Sequence, residues 1–203
     1  MLNRRHVLPG SNHPPFLGDD VDKVTNYVAE FLTGAKPATG GERVLATVLL
    51  TDIVDSTKRA EAIGDRRWRE LLDAHNSIFR RELARFRGKE VKTLGDGFLA
   101  TFDGPGRAIH CSLSLIAALR SLGIEIRAGL HTGEVEIVEN DVRGIAVHVA
   151  ARVVALAQPS ECLITRTVKD LVAGADIRFT GRGKRNLKGL SEAIDLFAAA
   201  NSP

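Results

Sequence analysis

Two apolar stretches, each running into a tight turn that carries an aspartate, constrain this chain more than any other feature. One is Val44 to Thr51, which enters Thr51-Asp-Ile-Val-Asp-Ser-Thr57; the other is Glu90-Val-Lys-Thr-Leu-Gly-Asp-Gly-Phe98. Short apolar and β-branched runs bounded by Gly, Asp and Ser read as strands and turns. Glu90–Leu94 and Phe98–Phe102 therefore read as a hairpin turned by Gly95-Asp96-Gly97. A single acidic residue at a strand end is usually a turn residue or a helix cap. Two of them, Asp52 and Asp96, on adjacent strand ends beside a Ser/Thr loop, make a site for divalent cations and phosphates. Mg²⁺ prefers oxygen ligands and is typically held by one or two carboxylates together with the oxygens of a phosphate substrate.

The rest of the sequence supplies a domain around that site. The chain has 203 residues, of which 44% are apolar, enough for one sizeable α/β domain and too apolar for disorder. A net charge of +3 permits an anionic partner, yet only 5% of residues are aromatic. No basic run is interleaved with aromatics, so a stacking surface for single-stranded nucleic acid is not expected. Cys111 and Cys162 lack CxxC spacing and read as buried thiols in a reducing compartment. No apolar run reaches bilayer-spanning length and no signal peptide is visible. The expectation is a soluble, cytoplasmic protein with no nucleic acid and no membrane span.

Periodicity sets out the elements. Residues 1–34 read as a separate N-terminal unit, 35–43 as a linker and 44–200 as the main domain. Trp68, Leu71, Leu72, His75, Ile78, Phe79, Leu83 and Phe86 recur at three- and four-residue steps, a long amphipathic helix with Asp65 as N-cap and Gly88 as its end. Pro105 suits the first turn of a second helix running to Leu122 and stopped by Gly123. Ile124–His131 and Glu134–Val138 read as two strands around Thr132-Gly133. This order gives an α+β, ferredoxin-like βαββαβ core: an antiparallel sheet with helices on one face. Gly144 to Leu156 is helical and apolar on nearly every side, so it is expected to be largely buried, with His148 and Arg152 one turn apart. An arginine in a buried helix needs an anion; the helix alone leaves a structural salt bridge and a phosphate contact equally open. Short strands near Ile177–Thr180 and Ile194–Phe197 flank a basic loop, Arg182 to Gly189, which either faces solvent or closes over phosphates.

From about Arg43 onward the chain resembles the catalytic domain of the class III nucleotide cyclases, and more closely the soluble mycobacterial-type adenylyl cyclases. The motifs that carry the resemblance are Thr51-Asp-Ile-Val-Asp-Ser-Thr57, Val91-Lys-Thr-Leu-Gly-Asp-Gly97, Arg127-Ala-Gly-Leu-His-Thr-Gly133, Asp141 to Arg152, and Leu187-Lys-Gly189. The resemblance implies conversion of ATP to 3′,5′-cyclic AMP and pyrophosphate. Asp52, Asp96 and the Ile53 carbonyl would hold two Mg²⁺ or Mn²⁺ ions, while backbone amides from Val54 to Thr57, with the Ser56 and Thr57 hydroxyls, would cradle the phosphates. Lys92 and Asp141 would read adenine, Lys188 would bind the triphosphate, and Arg152 would neutralise charge developing in the transition state. Metal and purine residues come from opposite subunits in this family, so a chain carrying both sets is expected to form a head-to-tail homodimer.

Two residues depart from the family pattern. Position 148, often asparagine, is histidine; His148 either still orients the ribose, with pH-sensitive consequences, or is a lost contact. Asp55 stands where glycine is frequent. Residues 1–34 resemble the tail of an α/β-hydrolase around Gly10-Ser-Asn-His13, but no GxSxG elbow accompanies it, so no hydrolase activity is expected.

Overall fold

The central strand explains the architecture. β1 (Glu42–Ile53) sends Leu49 and Ile53 to one face of the sheet and Ala46, Val48 and Leu50 to the other, and all five are buried. Side chains alternate along a strand, so an apolar run of this kind demands cover on both faces. In the computed structural model, which describes residues 42–201, that cover is present. Beside β1 stand β2 (Lys89–Thr93), β3 (Phe98–Phe102), β4 (Ile126–Val138), β5 (Asp141–Arg143), β6 (Cys162–Thr165), β7 (Ile177–Arg185) and β8 (Ile194–Asn201). The helices are α1 (Ser56–Ile63), α2 (Asp65–Arg85), α3 (Pro105–Leu119), α4 (Ile145–Leu156) and α5 (Arg166–Leu171).

The strand order is β2-β3-β1-β4-β6-β8-β7, with β5 paired to β4. Its first four strands are antiparallel and follow the expected split βαβ order. The expectation of a wholly antiparallel sheet is corrected, because β6 lies parallel to β4. A parallel neighbour needs a crossover, and α4 supplies it. Helices on one face are likewise corrected. Residues of α2, α3 and α5 pack with Leu49 and Ile53, whereas Ala146 and Ala150 of α4 pack with Val48 and Leu50 on the opposite side.

Several boundaries also move. β1 begins at Glu42, inside the segment read as linker, while residues 1–34 and most of that linker lie outside the described residues. Asp65 opens α2 as its first helical residue; Gly64 is the N-cap, and the separate helix α1 precedes it. The second long helix ends at Leu119 and continues as one 3₁₀ turn, Arg120–Leu122. The two strands expected around Thr132-Gly133 are one continuous strand, β4, because Gly133 and Thr132 keep their register with Ala46 and Thr47 of β1. β5, β6 and α5 had no clear periodic signal, being three, four and six residues long. The first half of the expected basic loop is strand: β7 runs through Arg185 in an antiparallel pair with β8, and residues 186–189 remain outside it.

Cys111 and Cys162 are buried free thiols, pushed up to about 12 chiefly by burial. Among the described residues no helix is long and apolar enough to cross a membrane.

Candidate active site

The two aspartates meet because the β2–β3 hairpin is locked against the end of β1. Thr51 pairs with Phe98 in register, and the Phe98 N–H donates to Thr51 Oγ1 at 3.2 Å. A Cβ at Gly97 would overlap the Thr51 carbonyl oxygen, so only glycine lets the turn come this close. From behind, Phe79 of α2 stacks on Phe98 with ring centroids 3.7 Å apart, and His75 sits 5.6 Å from the same ring. The hairpin therefore cannot shift without breaking core contacts, and Asp96 is held beside Asp52.

Their electrostatics reveal two residues to which the sequence analysis gave no functional role. Arg127, directly across from Asp52 on β4, places Nη2 2.8 Å from Asp52 Oδ2. Burial holds the Asp52 carboxyl above its ordinary range and the charge of Asp96 adds to this, while Arg127 opposes both. Asp96 itself makes no hydrogen bond or ion pair among the described residues. Two half-buried carboxylates that repel one another, one of them paired with an arginine, suit a cation that takes few protein ligands and completes its shell from a phosphate. No group of three or more His, Cys, Asp or Glu residues with metal-binding geometry occurs among the described residues. The second residue is His75, 1% exposed, with Nδ1 on Asn76 and Nε2 unpartnered. Arg127 stands in a motif the sequence displayed, but its pairing depends on strand register. His75 looked like one more position on an apolar helix face.

Beside the carboxylates, the turn after β1 forms the start of α1. The Ile53 side chain is buried, so only its backbone is able to face a ligand. The Val54 amide is engaged, donating to the Glu125 carbonyl at 2.9 Å, which removes it from the expected set of free phosphate-binding amides. Ser56 and Thr57 open α1, whose N-terminus has no side-chain cap; such amides and the helix dipole favour an anion. Asp55 is left-handed at φ 54°, which explains why glycine suits this position. Its carboxylate turns to Lys58, 3.1 Å away and out in solvent.

The remaining candidates gather around α4 and its neighbours. Lys92 Nζ lies 2.8 and 2.7 Å from the two Asp141 oxygens, joining the bulged strand β2 to β5. The Lys92 hydrogen bond, and then that of the Val142 amide, hold the Asp141 carboxyl below its usual range. α4 seats Ala146, Val149, Ala150 and Val153 inward, and a Cβ on Gly129 of β4 would overlap the Val154 backbone. The expectation that this helix is largely buried is corrected: only that inward stripe is buried, while Ile145 is 57% exposed and Leu156 42%. His148 and Arg152 lie on this outer stripe, exposed and half-buried respectively. Neither makes a side-chain hydrogen bond or ion pair with the described residues, so Arg152 has no structural salt bridge there. Leu187 packs into the cluster of Val149 and Val153, and this anchors the exposed Lys188 next in sequence. Beneath α4, the half-buried His131 donates or accepts at Thr165 Oγ1, 2.9 Å away, and partial burial pushes its imidazole down to about 4.

A sheet with this order, two neighbouring carboxylates at one end of it and an arginine on a crossover helix without an acidic partner among the described residues are the features that characterise this domain. The family model described as the adenylate and guanylate cyclase catalytic domain matches residues 42–199, and the chain belongs to that family. An adenylate cyclase of Lachancea kluyveri is 29% identical over 160 residues, covering 64% of this chain and 8% of that one. The crystal structure of the adenylyl cyclase CyaB from P. aeruginosa superposes with a TM-score of 0.75 at 19% identity, over 80% of this chain and 96% of that one. The guanylate cyclase domain of RhGC from Catenaria anguillulae gives 0.72 at 18% identity, over 80% and 100%. These two structures share the fold. The chain spans from 8% to 40% of the length of the curated relatives it matches.

Proposed function

We propose that this domain is an adenylyl cyclase, converting ATP to 3′,5′-cyclic AMP and pyrophosphate in sites shared across a head-to-tail homodimer. The observation that carries the choice of nucleotide is the Lys92–Asp141 pair: residues 49 positions apart in sequence meet at 2.7 Å and set a donor beside an acceptor. Adenine offers an acceptor at N1 and a donor at its exocyclic amine, and this pair answers both. Guanine, with O6 and N1–H, demands the reverse, and a site that leaves polar groups unpaired rejects the analogue strongly.

In this reading Asp52, Asp96 and the Ile53 carbonyl hold two Mg²⁺ or Mn²⁺ ions. When bound, these ions lower the pKa of the ribose 3′-hydroxyl and neutralise phosphate charge. The Ser56 and Thr57 amides and hydroxyls orient the β- and γ-phosphates at the start of α1, and Lys188 adds positive charge to them. Arg152 faces the α-phosphate and stabilises charge as the 3′-oxygen attacks in line and pyrophosphate leaves. Its freedom from any carboxylate among the described residues supports that role. His148, one turn before it, orients the ribose. The apolar Ile145 and Leu156, exposed around these polar residues, support contact of this face with a second copy. Asp55, an extra carboxylate near the phosphate-binding turn, pairs with Lys58 and so does not face the phosphates in this reading.

Incubating the purified protein with ATP or GTP and Mn²⁺, and separating the products, tests the proposal. Cyclic AMP from ATP at a rate well above cyclic GTP from GTP is expected. Equal or greater cyclic GTP would refute the purine assignment, and no product from either nucleotide would leave a binding module without turnover.

A further inference from the structure

The carboxylate end of β1 already contains a cation. Arg127 stands opposite Asp52 in the β1–β4 register, and its guanidinium reaches one carboxylate oxygen at 2.8 Å. The contact is incomplete: Nε of the same guanidinium is buried without a hydrogen-bond partner among the described residues. Arginine is always charged and binds carboxylates best through a two-point fork, so this arrangement is a compromise. It lowers the local charge of Asp52 and Asp96 from −2 to −1, and it occupies an oxygen that a metal ion needs.

From this geometry we infer that Arg127 acts as a resident counter-ion that restrains the metal affinity of the empty Asp52–Asp96 pair. Any divalent ion entering the nucleotide-free site has to displace the guanidinium or bear its repulsion. The unloaded site therefore stays weakly occupied, and ions enter chiefly with a polyphosphate that brings its own oxygen ligands. Arg127 is here a positioning residue acting through Asp52. The inference rests on the metal role proposed for the carboxylates, and its test separates the two.

The experiment is Mn²⁺ binding to nucleotide-free protein, followed by the electron paramagnetic resonance signal of free Mn²⁺, with folding checked by circular dichroism. Arg127→Met is expected to bind Mn²⁺ roughly fivefold more tightly than wild type, the scale of one partly exposed charge pair. Arg127→Lys, which keeps the charge, is expected to stay near the wild-type value. Arg127→Gln should tighten binding as well, and serves if Arg127→Met fails to fold. Unchanged or weaker binding in the neutral variants overturns the inference, because it means that Arg127 only orients Asp52. Asp96→Asn should weaken binding in every background. If it does not, Mn²⁺ sits elsewhere, and the metal reading falls together with the restraint built on it.

Discussion

The carboxylate end of β1 and the outer face of α4 handle charge in opposite ways. At the first, Asp52 is answered by Arg127 across the strand pair, the turn is pinned by Thr51, Gly97 and Phe98, and Asp96 has no hydrogen-bond or ion-pair partner among the described residues. At the second, His148 and Arg152 stand beside exposed Ile145 and Leu156 with no acidic partner among the described residues. One region is nearly complete within a single chain. The other makes chemical sense only with something laid upon it. Groups that must grip cations before a reaction gain from rigid backbone support, whereas a group that meets a transition state has to be left unsatisfied until its ligand arrives.

The largest expected effect breaks the first region. Asp52→Ala or Asp96→Ala should abolish cyclic nucleotide formation, a loss of at least roughly 10³-fold in kcat; near-full activity in either variant would remove the metal assignment. Arg152→Ala tests the second region and should cost on the order of 10³-fold or more in kcat, as arginines do in related phosphoryl transfer, with little change in melting temperature because the side chain has no hydrogen-bond or ion-pair partner among the described residues. The comparison sharpens when the two are mixed. Asp52→Ala and Arg152→Ala subunits, each inactive, should together regain about one working site per heterodimer, and an absence of rescue would count against sites shared between chains.

Acid should separate the regions by stability. His131 lies beneath α4 and is held neutral by burial, down at about 4 when folded, against about 6.5 for an unperturbed imidazole. As pH falls below 6.5 the unfolded chain takes up this proton before the folded one does. The stability contributed by the neutral ring is therefore full above that pH and is lost progressively towards pH 4. A gap of this size amounts to about 3 kcal/mol. Thermal melts of His131→Gln should show a flatter acid limb than wild type, and identical limbs would exclude His131 as the cause. The smallest effect is expected at the turn. Asp55→Gly removes a left-handed aspartate but frees the unfolded chain, so stability should change by less than about 1 kcal/mol, while KM for the nucleotide falls slightly with the loss of one carboxylate.

How much of this was legible in the residues varies by element. The β2–β3 hairpin, the long helix carrying Trp68 to Leu83 and the crossover helix ending at Leu156 announce themselves by period and by their Gly and Pro boundaries. So do Asp52 and Asp96, because an acidic residue between an apolar strand and a Gly or Ser turn is a local pattern. The short strands β5 and β6 do not, since three or four residues hold no measurable period. The Arg127–Asp52 and Lys92–Asp141 pairs were beyond local reading for a different reason: 75 and 49 residues separate the partners, and register and bulges decide who meets whom.

By itself, then, the order of residues determined which stretches become strands and helices, where the turns fall, and which side chains are candidates for metal and phosphate chemistry. These follow from alternation, helical spacing and turn stereochemistry, all of them short-range. Tertiary structure alone decided that α4 covers the face opposite α2 and α3, that β6 lies parallel to β4, that the Val54 amide is already taken, and that Arg152 has no acid to hold it among the described residues. Those outcomes depend on packing between segments far apart in the chain, where the burial of both faces of β1 and the pairing of charges are settled together.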